Sequence, residues 1–143
     1  MKIEEILRTK GHDVVTISES KTVLEAAQLL VDHGIGGLVV TDGERPAGIL
    51  TERDILRLTA RSPGELGSIP IGTVMTRDLI TATPEDRLTE VMGVMTERKI
   101  RHLPVMVGER LAGIITIGDL LNACRTVAEA ENSQLREYIQ GAG

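Results

Sequence analysis

The sequence predicts a mixed α/β (α+β) fold of two like β-α-β-β-α units, packed as a pseudo-two-fold pair. A short helix precedes the pair and a long helix follows it. Three observations predict this. The stretch Gly48-Ile49-Leu50-Thr51-Glu52-Arg53-Asp54 returns as Gly113-Ile114-Ile115-Thr116-Ile117-Gly118-Asp119. The offset is 65 residues from Thr51 to Thr116 and again from Asp54 to Asp119, and one shift aligns Val14 through Leu56 without a gap. Between the copies, Pro63, Gly64, Gly67, Pro70 and Gly72 give residues 60–72 a linker composition. Self-similarity of this kind means duplication, and two copies favour a paired arrangement over a solenoid.

Each element follows from local pattern. Lys2 to Lys10 carries Ile3, Ile6 and Leu7 on one face, and Gly11 ends it, so a short amphipathic helix leads in. Val14-Val15-Thr16-Ile17 reads as a strand. Ser20 or Thr22 caps a helix from Thr22 to His33, with Val23, Ala26, Ala27 and Leu30 at helical spacing and Gly34 closing it. Leu38 to Thr41 is a strand, Asp42-Gly43 a hairpin turn, and Ala47 to Leu50 the return strand. Thr51 opens a helix to about Thr59.

The second unit repeats the pattern. Thr16 aligns with Thr81, Glu25 with Glu90, Leu38 with Leu103, and Gly43-Glu44-Arg45 with Gly108-Glu109-Arg110. Leu88, Val91, Met92 and Met95 form a helical stripe, and the last helix runs from Gly118 to about Gln140. The expected organisation is a lead-in helix at 1–11, a first unit at 12–60, a linker at 61–76, a second unit at 77–125 and a C-terminal extension at 126–143.

Composition narrows the function. Tyr138 is the only aromatic residue, so the core is aliphatic and any bound base lies between aliphatic side chains. The net charge is −5, with no basic stripe and no aromatic platform, which argues against nucleic acid as a partner. The single cysteine, Cys124, excludes an internal disulfide and a cysteine-pair metal site. His12 and His33 stand beside glycines, and no metal is expected. No apolar run approaches the ~18 residues of a spanning helix, and the acidic start is unlike a signal peptide. The expectation is a cytoplasmic protein with no membrane partner. No phosphate loop, serine elbow or zinc-protease motif is present, so an enzyme is not expected.

The repeated Thr and Asp admit two readings. Thr51 with Asp54, and Thr116 with Asp119, match a helix cap with an acid in the first turn, a purely structural device. The same carboxylate presents acceptors at a helix start, and a ribose cis-diol offers two donors at matching separation. The basic run Arg98, Lys99, Arg101 and His102 is either a solvated helix end or a phosphate clamp built from forked and point donors. In the first unit these positions are His33, Gly34, Gly36 and Gly37. The two halves are therefore expected to be unequal in charge.

The duplicated Gly-apolar-x-Thr-x-x-Asp, the Gly34-Ile35-Gly36-Gly37-Leu38-Val39-Val40 run and Arg101-His102-Leu103-Pro104-Val105 resemble the CBS-domain pair, or Bateman module, of the small stand-alone bacterial type. The resemblance covers about residues 12–125. It implies binding of adenine nucleotides or related adenosyl ligands between the units. AMP is the first expectation, with ATP, ADP or NAD as alternatives and no cofactor required. It implies ribose contacts from Thr51, Asp54, Thr116 and Asp119, and phosphate contacts from Arg101 and His102 to the nucleotide held by Asp54. It also implies base contacts from the strand opening each unit, namely Val15, Thr16 and Ile17, and Ile80, Thr81 and Ala82. For those apolar residues the competing reading is ordinary core. A homodimer and an effector protein are the implied partners. The alternative function is a structural or interaction dimer without a nucleotide.

Overall fold

The computed structural model describes residues 1–142. The chain forms α1 (Ile3–Lys10), β1 (Thr16–Ser18), α2 (Val23–His33), β2 (Gly37–Asp42), β3 (Arg45–Thr51) and α3 (Glu52–Arg61). Two short 3-10 turns, Leu66–Ser68 and Ile71–Thr73, cross to the second unit. There α4 (Leu88–Arg98), β4 (His102–Val107), β5 (Arg110–Thr116) and α5 (Ile117–Ala142) follow. In the first unit β1 pairs parallel with β2, and β2 pairs antiparallel with β3. In the second unit β4 and β5 make the equivalent hairpin. Both hairpins shift register at the same place, after Val40 and after Val105.

The expected opening strand of the second unit is reduced to a single bridge, Ala82 with Val105. Two prolines explain this. Pro84 stands where Glu19 N donates to the Thr41 carbonyl in the first unit, so the pair at one end is lost. Pro104 acts at the other end. It stands where the first unit has Val39, whose pairing with Thr16 needs a backbone N–H on the β2 side. Proline has none, so Thr81 cannot join the ladder.

Helix ends show where the copies differ. In α2, Thr22 Oγ1 accepts from Glu25 N at 3.2 Å while Glu25 Oε2 accepts from Thr22 N at 2.9 Å, a complete capping box. The matching position before α4 is Arg87, whose side chain makes no cap bond. Both helices share a second closure, with Val23 N donating to the Ile69 carbonyl and Leu88 N to the Met1 carbonyl, each at 2.9 Å.

The cores are exchanged between segments. The second core is built from Leu88, Val91, Met95, Leu103, Val105, Ile115 and Leu120, and it takes in Ile3, Ile6 and Leu7 from α1. The first core, around Val23, Leu30, Leu38, Val40 and Leu50, takes in Ile71 and Met75 from the segment with linker composition. Each unit is thus completed by the segment that precedes the other one, which ties the pair into one body. The hairpin turns also meet, with Arg45 and Glu109 2.9 Å apart, but both are exposed and the pair adds little. Among the described residues, no helix is long and apolar enough to cross a membrane.

Candidate functional site

The repeated Thr and Asp occupy the junctions β3–α3 and β5–α5. At the first, Asp54 Oδ2 accepts from Thr51 N at 2.9 Å and from Thr51 Oγ1 at 3.1 Å. Asp54 N donates back to Thr51 Oγ1 at 3.4 Å. The capping reading therefore holds at the level of geometry. It uses one carboxylate oxygen, and Oδ1 has no hydrogen-bond partner among the described residues.

A cavity of about 200 Å³ opens at this junction. Thr51 and Asp54 line one side of it. Lys99, Ile100, Arg101 and His102, between α4 and β4, line the other. The floor is aliphatic and backbone, from Gly36, Ile49 and Thr76. Glu52, Arg53 and Arg57 complete the rim from the first turns of α3. A neighbouring hollow of about 320 Å³ shares Arg53, Lys99, Ile100 and Arg101 with it.

The fold thus brings together Thr51, Asp54, Lys99, Arg101 and His102, residues far apart in the chain. Arg98 ends α4, exposed, and does not line the cavity. Val15 and Ile17 pack against the first core and Thr16 is exposed, and none of the three lines the cavity. Ala82 is buried in the second core with Ile80 packed on it, and Thr81 is exposed. Thr116 and Asp119 repeat the cap at the start of α5, with Asp119 Oδ2 accepting from Thr116 N at 2.9 Å.

Sequence reasoning did not single out Arg53, Arg57, Ile49 or Thr76. A signal for the arginines was present: Arg57 follows Asp54 by three residues on α3, hence on the same face. Thr76 reaches the cavity because it pairs with Ile49, N to O at 3.0 Å in both directions, as a single antiparallel bridge on the β3 edge. Nothing local predicts that pairing.

Two backbone features position the basic side. Lys99 closes α4 in the left-handed region, φ 55°, where Gly34 closes α2 at φ 61°. It is the only non-glycine residue with positive φ among the described residues. That conformation disfavours a side chain by ~1–2 kcal/mol, so a lysine at this position is held against local preference beside the cavity. Gly37 and its partner in the repeat, His102, face each other. A Cβ on Gly37 would lie 2.9 Å from His102 Cδ2, so glycine is what lets the imidazole lie against β2. Burial there holds the His102 pKa below the usual imidazole range. Lys10 and Arg101 add to that effect, while Glu52 and Asp119 oppose it. His102 is accordingly neutral at pH 7 and offers one N–H donor.

A model of the CBS domain matches the chain twice, over residues 3–61 and 71–126. The chain belongs to the CBS-domain family. The first match begins at α1 and the second at the Ile71–Thr73 turn, the two segments that complete the cores. The pair is similar to the mitochondrial CBS domain-containing protein CBSX3 of Arabidopsis thaliana, 34% identical over 97% of this chain and 72% of that one. Among solved structures it is similar to the CBS-domain protein ATU1752 of Agrobacterium tumefaciens, with TM-score 0.83 and 35% identity over 86% of this chain and 98% of that one. It is also similar to the CBS domain pair of protein MJ0100, solved with 5'-methylthioadenosine and S-adenosyl-L-methionine. There the TM-score is 0.79 and the identity 26%, over 88% of this chain and 97% of that one.

Proposed function

We propose that this CBS pair is a non-catalytic regulatory module that binds an adenosyl ligand carrying phosphate, with AMP as the simplest candidate and ADP, ATP and NAD as relatives. One observation carries the reading: a single cavity has a carboxylate with a free oxygen on one wall and lysine, arginine and neutral histidine on the other. Asp54 Oδ1 takes a ribose hydroxyl, with Thr51 beside it. The phosphate, which the carboxylate would repel, lies toward Lys99, Arg101 and His102, where forked and point donors suit it. Arg53 and Arg57 extend the positive rim, and the neighbouring hollow leaves room for further phosphates. The base rests between Ile49, Ile100 and the Thr76 backbone. Protein MJ0100 supports the adenosyl part, since 5'-methylthioadenosine and S-adenosyl-L-methionine, with which it was solved, both carry an adenosyl group. The hydroxyl beside Asp54, Thr51 Oγ1, is engaged in the helix cap, which supports binding without chemistry. Occupancy acts on a homodimer or an effector protein through differential affinity for two states.

A second reading, an assembly protein of the same fold with no nucleotide, is favoured by apolar side chains left in the open. Leu56 and Leu121, equivalent in the repeat, are 69% and 58% exposed. Thermal unfolding with adenosine, AMP, ADP, ATP and NAD separates the two. The proposed function predicts stabilisation of ~2.7 kcal/mol at about 100 times Kd, stronger with AMP than with adenosine and absent in Asp54→Ala. No shift with any of the five selects the second reading.

A further inference from the structure

Asp119 already holds a cation. Lys10, the last residue of α1, places Nζ 2.5 Å from Asp119 Oδ2 and 2.7 Å from the Ile114 carbonyl oxygen. Both acceptors have counterparts at the first site, because Asp119 repeats Asp54 and Ile114 repeats Ile49, two residues that line its cavity. At the first site the Ile49 edge is met by the backbone of Thr76, and Asp54 enters no ion pair among the described residues. At the second site the edge is met by an ammonium instead.

The contact is built into the fold. Ile3 and Leu7 are fully buried in the second core, and Leu7 Cδ2 lies 2.7 Å from where a Cβ on Gly113 would sit. The last turn of α1 is therefore fixed against β5, and Lys10 leaves it pointing at the cleft. Its side chain is 29% exposed and that of Asp119 23%, so the pair is shielded more than a surface bridge. The basic residues of the first site have uncharged counterparts in the second. The positions 65 residues from Arg53, Arg57, Lys99 and Arg101 are Gly118, Asn122, Gly34 and Gly36. Lys10 is the cation left there, and Asp119 already takes it.

We propose that Lys10 is an internal counter-ligand that keeps the Asp119 cleft closed to the adenosyl ligand, so that each chain has one working site and α1 gates the other. This rests on reading Asp54 as the ribose carboxylate. The ammonium sits on Asp119 Oδ2 and on the strand carbonyl, so it fills the space and offsets the charge beside Oδ1, the counterpart of the Asp54 oxygen that takes the ribose. It is also tethered, so a free ligand competes against a neighbour that is always present.

Calorimetry with AMP and with adenosine as probes counts the sites in wild type, Lys10→Ala, Lys10→Gln, Lys10→Gln with Asp119→Ala, and Asp54→Ala. Ile3 and Leu7 keep α1 docked in the Lys10 variants, which circular-dichroism melting checks, and glutamine retains most of the aliphatic stem. The expected result is one AMP per chain in wild type, lost in Asp54→Ala. A second site, read with adenosine because no cation remains there for a phosphate, appears in both Lys10 variants and disappears when Asp119→Ala is added. Two sites in wild type, or a single site in both folded Lys10 variants, overturns the gate. Loss of an existing Asp119 site on changing Lys10 also overturns it, by making Lys10 a ligand contact. If wild type takes up no AMP, the Asp54 reading fails on its own. The gate then stands if Lys10→Gln gains a site that Asp119→Ala removes, and falls if it does not.

Discussion

At the junction of β3 and α3, Asp54 shares a cavity with Arg53, Arg57, Lys99, Arg101 and His102. At the junction of β5 and α5, the same backbone and the same Thr–Asp cap carry Asp119, where the matching positions are Gly118, Asn122, Gly34, Gly36 and Gly37. The difference teaches that duplication kept the scaffold and let the charge diverge. Capping needs only a hydroxyl and a carboxylate three residues apart, and both copies retain them. Phosphate recognition needs cations converging from α3 and from the α4–β4 corner, and one copy has them.

The comparison can be broken first through packing. Leu7 is fully buried beneath the Asp119 cleft. Leu7→Ala should cost about 2–5 kcal/mol in chemical unfolding. If α1 belongs to the second core, native-state hydrogen exchange will show protection falling in α4 and β5 more than in α2. Equal loss in both units would contradict the exchanged cores. Next is Gly37→Ala, which drives a Cβ into the His102 ring and should cost about 1–3 kcal/mol. It should also weaken AMP binding by displacing the imidazole, and a crystal structure with His102 unmoved would refute that account.

Lys99→Gly sharpens the comparison by making the first site resemble the second. Glycine relieves the left-handed backbone, so stability should rise by about 1 kcal/mol. The preference for AMP over adenosine should fall at the same time. A gain in stability with AMP affinity unchanged would mean Lys99 is not a phosphate contact.

The smallest effect is in pH. The His102 pKa is lowered in the folded state, so between that value and the usual imidazole value of about 6.5 the unfolded chain binds more protons. Stability should therefore be fully present above that range and decline as pH falls through it. His102→Asn should flatten this part of the profile in urea unfolding, and a slope of the opposite sign would show that the folded state gains the proton.

Much of this was legible in the sequence, and the rest was hidden for physical reasons. The duplication, the hairpins, the Thr22 and Thr51 caps and the long last helix are local patterns, so they read directly. The asymmetry of the basic run was also visible as glycines facing Arg101 and His102 in the alignment of the copies. Tertiary exchange was not visible. Ile71 sits among prolines and glycines yet is fully buried, because its burial comes from α2 and β2 and not from its own neighbours. The reduced opening strand turned on Pro84, which is local, and on Pro104, which lies on the partner strand. Lys10 read as the end of an amphipathic helix, and only the docking of α1 on β5 brings it to Asp119.

The most direct measurement is a crystal structure with AMP. The account predicts one nucleotide per chain, its ribose on Asp54 and its phosphate toward Arg101 and His102, with Lys10 still on Asp119. A nucleotide seated on Asp119, or one at Asp54 with its phosphate turned away from the basic wall, would contradict it.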